Sequence, residues 1–203
     1  MPRTLVPDMS TQRIPGSRPA RPDDNPWVVS TRELARRPGT QRTVTRTVPA
    51  PSGDEAIGLV GVISVPDGSD VELDVSLESV TEGVYVSGTA AARLEGECSR
   101  CLDPLSDDVV VGFGELFAYP DSVTEETTDA DEIPRLVDER VDLLQTVRDA
   151  LVTDLPMAPL CTQDCPGLCE GCGERWADLA PDHGHERLDP RWAALRERLP
   201  STE

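Results

Sequence analysis

From Ile57 to Tyr119 the chain alternates apolar and polar positions in Val-rich runs, Gly58–Val65, Val71–Glu78, Val84–Leu94 and Val109–Phe117, punctuated by Pro66-Asp67-Gly68-Ser69 and Glu82-Gly83. A period of two with β-branched residues predicts strands, and turns this short predict an antiparallel meander. Thr43 to Val48 alternates Thr with Val or Arg and predicts one more strand. The period then changes. Leu144, Val147, Leu151 and Leu155 share one helical face behind the cap Asp142-x-x-Gln145, and Pro156 ends the run. This helix is expected to cover one face of the sheet. Two shorter helices are expected as well. One opens at the capping-box spacing Ser30-x-x-Glu33 and closes at Arg37-Pro38-Gly39. The other starts at Asp189-Pro190 and carries Trp192, Leu195 and Leu199 as its apolar stripe. The fold class expected is α+β, an antiparallel β-sheet packed by a helix, with a Cys/His-rich C-terminal module.

Composition sets the boundaries. Residues 1–25 are polar, rich in Pro and Arg and without period, too poor in apolar surface to offset the entropy of ordering, so a disordered basic arm is expected. An α+β domain over 26–157 and a module with its closing helix over 158–203 follow. All 19 basic residues are Arg, and the net charge of −19 is uneven. Residues 1–50 hold nine Arg against four acids, a balance of +5, and the remainder holds ten Arg against 34 acids, a balance of −24. Six of those acids lie between Asp121 and Glu132, the pattern of a solvated loop. An acidic body repels phosphates and attracts basic partners. Only seven aromatic residues are present, which disfavours a stacking platform for single-stranded RNA. No run of about 18 apolar residues occurs and the Arg- and Pro-rich start is no secretion signal, so the expected place is the cytoplasm.

The six cysteines change the picture most. They come in pairs: Cys98-Ser-Arg-Cys101, Cys161-Thr-Gln-Asp-Cys165 and Cys169-Glu-Gly-Cys172, with His183-Gly-His185 as the only histidines. A Cys-x-x-Cys turn presents two sulfurs at the bite a tetrahedral zinc requires, and Gly173 after the second Cys suits such a turn because glycine tolerates positive φ. Eight ligands are enough for two closed four-coordinate sites. The pairing preferred is Cys169, Cys172, His183 and His185 on one ion with Cys98, Cys101, Cys161 and Cys165 on the other. The rival places Cys161, Cys165, Cys169 and Cys172 on a single ion. One or two structural zinc ions are therefore expected. Disulfides are disfavoured in a reducing compartment, and a redox Cys-x-x-Cys would want a βαβ context. Solvated loop histidines remain an alternative for His183 and His185.

Catalytic zinc would need an open coordination position and a free acid or base, and no histidine remains for proton transfer. No nucleophile motif, P-loop or dinucleotide fingerprint is present. A non-enzyme without a small-molecule substrate or a membrane is expected.

Several of these residues together resemble a known family. Cys98-Ser-Arg-Cys101-Leu-x-Pro104-Leu105, Phe117-Ala-Tyr-Pro120, Val141-Asp142-Leu143-Leu144, Leu155-Pro156, Cys161-x-x-x-Cys165-Pro-Gly-Leu-Cys169-x-x-Cys172-Gly173 and Leu188-Asp189-Pro190-Arg191-Trp192 follow in the order seen in the YceD family of large ribosomal RNA subunit accumulation proteins. The resemblance implies a role in ribosome biogenesis in the bacterial cytoplasm. In many members of that family a Cys-x-Cys stands where this chain has His183-Gly-His185, an exchange that keeps four ligands and makes the site less negative, and some members lack parts of the cysteine set. Combined with the charge split, it suggests that the acidic body holds a basic ribosomal protein or assembly factor while the Arg-rich arm touches rRNA. A zinc-stabilised interaction module with a non-ribosomal partner and a thiol-redox sensor are the alternatives.

Overall fold

The computed structural model describes residues 25–59, 61–122 and 133–185. The strands are β1 (Val28–Ser30), β2 (Gln41–Pro49), β3 (Gly58–Leu59), β4 (Ile63–Ser64), β5 (Asp70–Ser79), β6 (Gly83–Glu97), β7 (Pro104–Ala118) and β8 (Arg140–Asp142), and the helix α1 spans Leu144–Asp154. Most of the expected arm, most of the acidic loop and the helix expected from Asp189 lie outside the described residues. Among the described residues no helix is long and apolar enough to cross a membrane.

β2, β5, β6, β4 and β3 are hydrogen-bonded neighbours in that order, and β7 pairs with β6. The sequence pattern explains the long strands. On β5 Val71, Leu73, Val75 and Leu77 are buried while Asp70, Glu72, Asp74 and Glu78 are exposed, and on β6 Val84, Val86, Ala90, Ala92 and Leu94 are buried in the same rhythm. Strand residues point to alternate faces, so each strand presents one apolar face. β6 and β7 extend beyond the Val-rich cores that predict them, each reaching 15 residues up to the Cys98–Cys101 turn.

The single strand expected over Gly58–Val65 is instead a small hairpin, with Gly58 opposite Ser64 and Leu59 opposite Ile63. Gly61 at φ 74° turns the chain, and the Val62 amide donates to the Leu59 carbonyl at 2.9 Å. A glycine able to adopt positive φ outweighed the β-branched run around it. The helix expected after Ser30 is also smaller, one 3₁₀ turn over Arg32–Leu34 ending on Ala35 at φ 49°; its N-cap is Thr31, whose side chain makes no cap bond, while the Ser30 hydroxyl accepts from the Arg32 amide at 3.4 Å. Ser30 is the last residue of β1, which pairs antiparallel with β8 more than a hundred positions later.

Contacts divide the chain into two units. The first comprises Met1–Thr43, Ser76–Ser87 and Gly114–Thr146. Its buried residues include Trp27, Val29, Leu34, Leu77, Val84, Val86, Phe117, Leu136, Val141 and Leu143. The turn Asp138-Glu139, with φ values of 52° and 57°, is clamped where the Thr31 amide and hydroxyl both donate to the Glu139 carbonyl, at 2.8 and 2.9 Å. The second unit comprises Val44–Val75, Gly88–Phe113 and Val147–Glu203, and it holds all six cysteines. Val147, Leu151 and Leu155 of the helical stripe are buried in this unit, as expected. Leu144 is only half-buried, and Leu143 lies at the fully buried position one residue earlier. The Asp142 carboxylate accepts from the Leu144 amide at 3.0 Å and so satisfies one of the free amides at the start of α1.

Candidate metal centres

Each Cys-x-x-Cys pair sits in a turn whose backbone bonds are the same in both. The Cys98 amide donates to the Asp103 carbonyl at 2.8 Å and the Leu102 amide to the Cys98 carbonyl at 2.9 Å. The Cys169 amide likewise donates to the Glu174 carbonyl and the Gly173 amide to the Cys169 carbonyl, both at 2.7 Å. Both turns need positive φ just after the second cysteine, 62° at Leu102 and 78° at Gly173. Glycine meets that need without strain, whereas a leucine there carries a penalty of roughly 1–2 kcal/mol.

The eight expected ligands fall into two groups, Cys98, Cys101, Cys161 and Cys165 in one and Cys169, Cys172, His183 and His185 in the other. Within each group all ligand atoms lie within 4.8 Å of one another. In the four-cysteine group the Sγ atoms of Cys98 and Cys165 are 3.8 Å apart and those of Cys101 and Cys161 3.6 Å. In the mixed group Cys172 Sγ lies 3.5 Å from His183 Nε2. Zinc–sulfur bonds of about 2.3 Å and zinc–nitrogen bonds of about 2.0–2.1 Å give tetrahedral edges of about 3.8 Å between sulfurs and about 3.5 Å between sulfur and nitrogen. These three separations match the edges of such tetrahedra. A disulfide would bring two sulfurs to about 2.05 Å, and all six cysteines are free. Both groups could therefore hold a metal ion.

Electrostatics in the four-cysteine group separates its members. Burial works to raise the Cys98 thiol, but the backbone amides of Cys101, Cys161 and Arg100 aimed at its sulfur prevail and bring it down to about 6. The Asp103 amide favours the Cys101 thiolate, yet burial and the neighbouring thiols push Cys101 up to about 12. Burial chiefly raises Cys165. Sulfurs packed this closely cannot all ionise without a cation among them.

Residues other than ligands shape the centres. Arg175 donates to Asp103 at 2.5 Å and to Asp178 at 2.6 Å, and these bonds, Asp103 first, raise its own pKa. Arg175 belongs to the turn of the mixed group and Asp103 to the turn of the four-cysteine group, so this ion pair ties one to the other. The Arg100 guanidinium donates to the Cys165 carbonyl at 3.0 Å. A side chain at Gly171 would place its Cβ 2.1 Å from Cδ2 of His185. The sequence signals only that Asp103, Gly171 and Arg175 lie next to the cysteine turns, which says nothing of their partners. His183 and His185 lie in a segment without helix or strand, their ring centroids 4.6 Å apart.

The model of the family described as large ribosomal RNA subunit accumulation protein YceD matches residues 86–197. The chain belongs to the YceD family. Proteins described as uncharacterized in Mycobacterium tuberculosis and Mycobacterium bovis are each 49% identical to it over 175 residues, covering 86% of this chain and 82% of theirs. One from Mycobacterium leprae is 42% identical over 175 residues, covering 86% of this chain and 78% of its own. No solved structure matches. The YceD match spans every candidate ligand.

Proposed function

We propose that this YceD-family protein is a non-enzymatic ribosome biogenesis factor of the bacterial cytoplasm that supports accumulation of large-subunit rRNA, and that zinc in both centres is structural. Family membership carries the first half of this reading, and the gathering of eight side chains into two sets of four supports the second. Thiolate and imidazole donors suit zinc, and sets of four protein ligands leave no open position for chemistry. Zinc bound this way stabilises folding by about 10 kcal/mol or more in small modules. Both histidines of the chain are used as ligands, so none remains to move a proton.

The partner is a basic ribosomal protein or assembly factor. The alternation of β5 supports this, because it exposes Asp70, Glu72 and Asp74 in one row at intervals of roughly 7 Å. A row of like charges favours a cationic partner and its rate of encounter. The Arg-rich residues 1–25 supply weak, salt-sensitive contacts to rRNA. Pull-down with the tagged full chain under graded salt tests the reading. Basic ribosomal components should be retained at low salt and released as salt rises. Retention of none, or capture indifferent to salt, would speak against it.

A further inference from the structure

The two centres share ligand count and spacing but not their surroundings. Around the first, Cys98, Cys101 and Cys165 are buried with Leu105, Leu160 and Leu168 packed against them. Its frame is fixed from several directions: the Cys98 turn joins two strands of 15 residues each, the Ser99 amide donates to the Pro159 carbonyl at 2.8 Å, and Arg100 holds the Cys165 carbonyl. In the second centre only Cys169 is buried, Cys172 and His185 are exposed, and His183 is half-buried. The backbone bonds that lead to its histidines are local, Leu179 to Trp176 at 3.4 Å and His183 to Ala180 at 2.9 Å. Among the described residues the imidazoles therefore meet the two sulfurs from a segment held, beyond the Trp176 amide that donates to the Gly167 carbonyl at 3.0 Å, by local backbone bonds alone.

Solvent access and the shell around a metal govern how readily an ion is exchanged. Of the four sulfurs that hold the first ion only Cys161 is exposed, so a competing ligand meets one open ligand there and three buried ones behind apolar side chains. At the second it meets exposed ligands directly, and release requires only that a short irregular segment swing away. Metal affinity of such a site is also inseparable from the ordering of its ligands.

We infer that the centre formed by Cys169, Cys172, His183 and His185 is an exchangeable site for zinc or a similar borderline divalent cation, whose occupancy responds to free metal, whereas the four-cysteine centre holds its ion permanently. This rests on the zinc reading above. Occupancy fixes the segment from Ala180 to His185, so metal supply controls how that segment is held. Trp176, 40% exposed and edge-on to His183 at 5.6 Å between centroids, lies beside the moving ligand and reports on it.

The full reduced chain is loaded with zinc, its bound ions are counted by elemental mass spectrometry, and it is challenged with EDTA while zinc release and tryptophan fluorescence are followed. Two ions should leave in separate phases, the first roughly tenfold faster or more, with the fluorescence change confined to that phase. In His185→Ala the fast ion should be missing and the slow one kept. Gly171→Ala, which alters no ligand but crowds His185, should speed the fast phase and spare the slow one, and it decides the matter should His185→Ala fail to fold. Two ions leaving at one rate, or a fast ion unaffected by both substitutions, would overturn the inference. A chain that binds no zinc would sink the zinc reading itself, and this inference with it.

Discussion

Leu102 occupies a backbone position that its counterpart turn gives to Gly173, and it is exposed. Leu102→Gly should relieve the strain and stabilise the protein by about 1 kcal/mol net of the extra freedom glycine brings to the unfolded chain, measured as a shift in the urea midpoint. The thiols of the first centre lead to a second expectation. Cys101 and Cys165 are raised and hold protons at neutral pH, whereas Cys98, lowered to about 6, is already ionised there. Zinc binding at pH 7 should therefore expel protons from Cys101 and Cys165 but not from Cys98. Affinity should weaken as pH falls, and more steeply below about 6, where Cys98 gains a proton as well. Calorimetry in buffers of different ionisation enthalpy reads the protons released, and a pH-independent affinity would contradict this expectation. The ligands themselves were legible in the sequence, because cysteine and histidine advertise their chemistry by type and spacing. Asp103, Arg100, Gly171 and Arg175 were not, since what they do depends on which distant atoms the fold brings beside them.

Among the elements, the long strands and α1 were legible because each presents one apolar face, and burial repeats the sequence period. Leu143, Val147, Leu151 and Leu155 recur every four residues and all are buried. Leu151→Ala should cost about 2–5 kcal/mol in chemical denaturation, and a cost near zero would show that the stripe faces water. Elements shaped by single residues or by distant partners were misread. Gly61 folds Gly58–Val65 back on itself, and Ser30, though its hydroxyl accepts from the Arg32 amide, ends a three-residue strand paired with β8, so only one 3₁₀ turn follows it. A strand of three residues has too little period to show, and its pairing across the chain has no local signature.

For the whole molecule, the cysteine spacing suggests that residues far apart in sequence are drawn together by metal, and the side chains of Cys98 and Cys165 meet although 67 positions separate them. The charge split and membership of the YceD family are the grounds on which a basic partner and a role in large-subunit assembly are proposed. The structural-zinc reading and the exchangeable-site inference both depend on metal at these two centres, and the most direct test of it is native mass spectrometry of the freshly purified, reduced full-length chain. The account predicts a folded species carrying two zinc ions, both lost on acid unfolding. A folded chain at its bare polypeptide mass would contradict it.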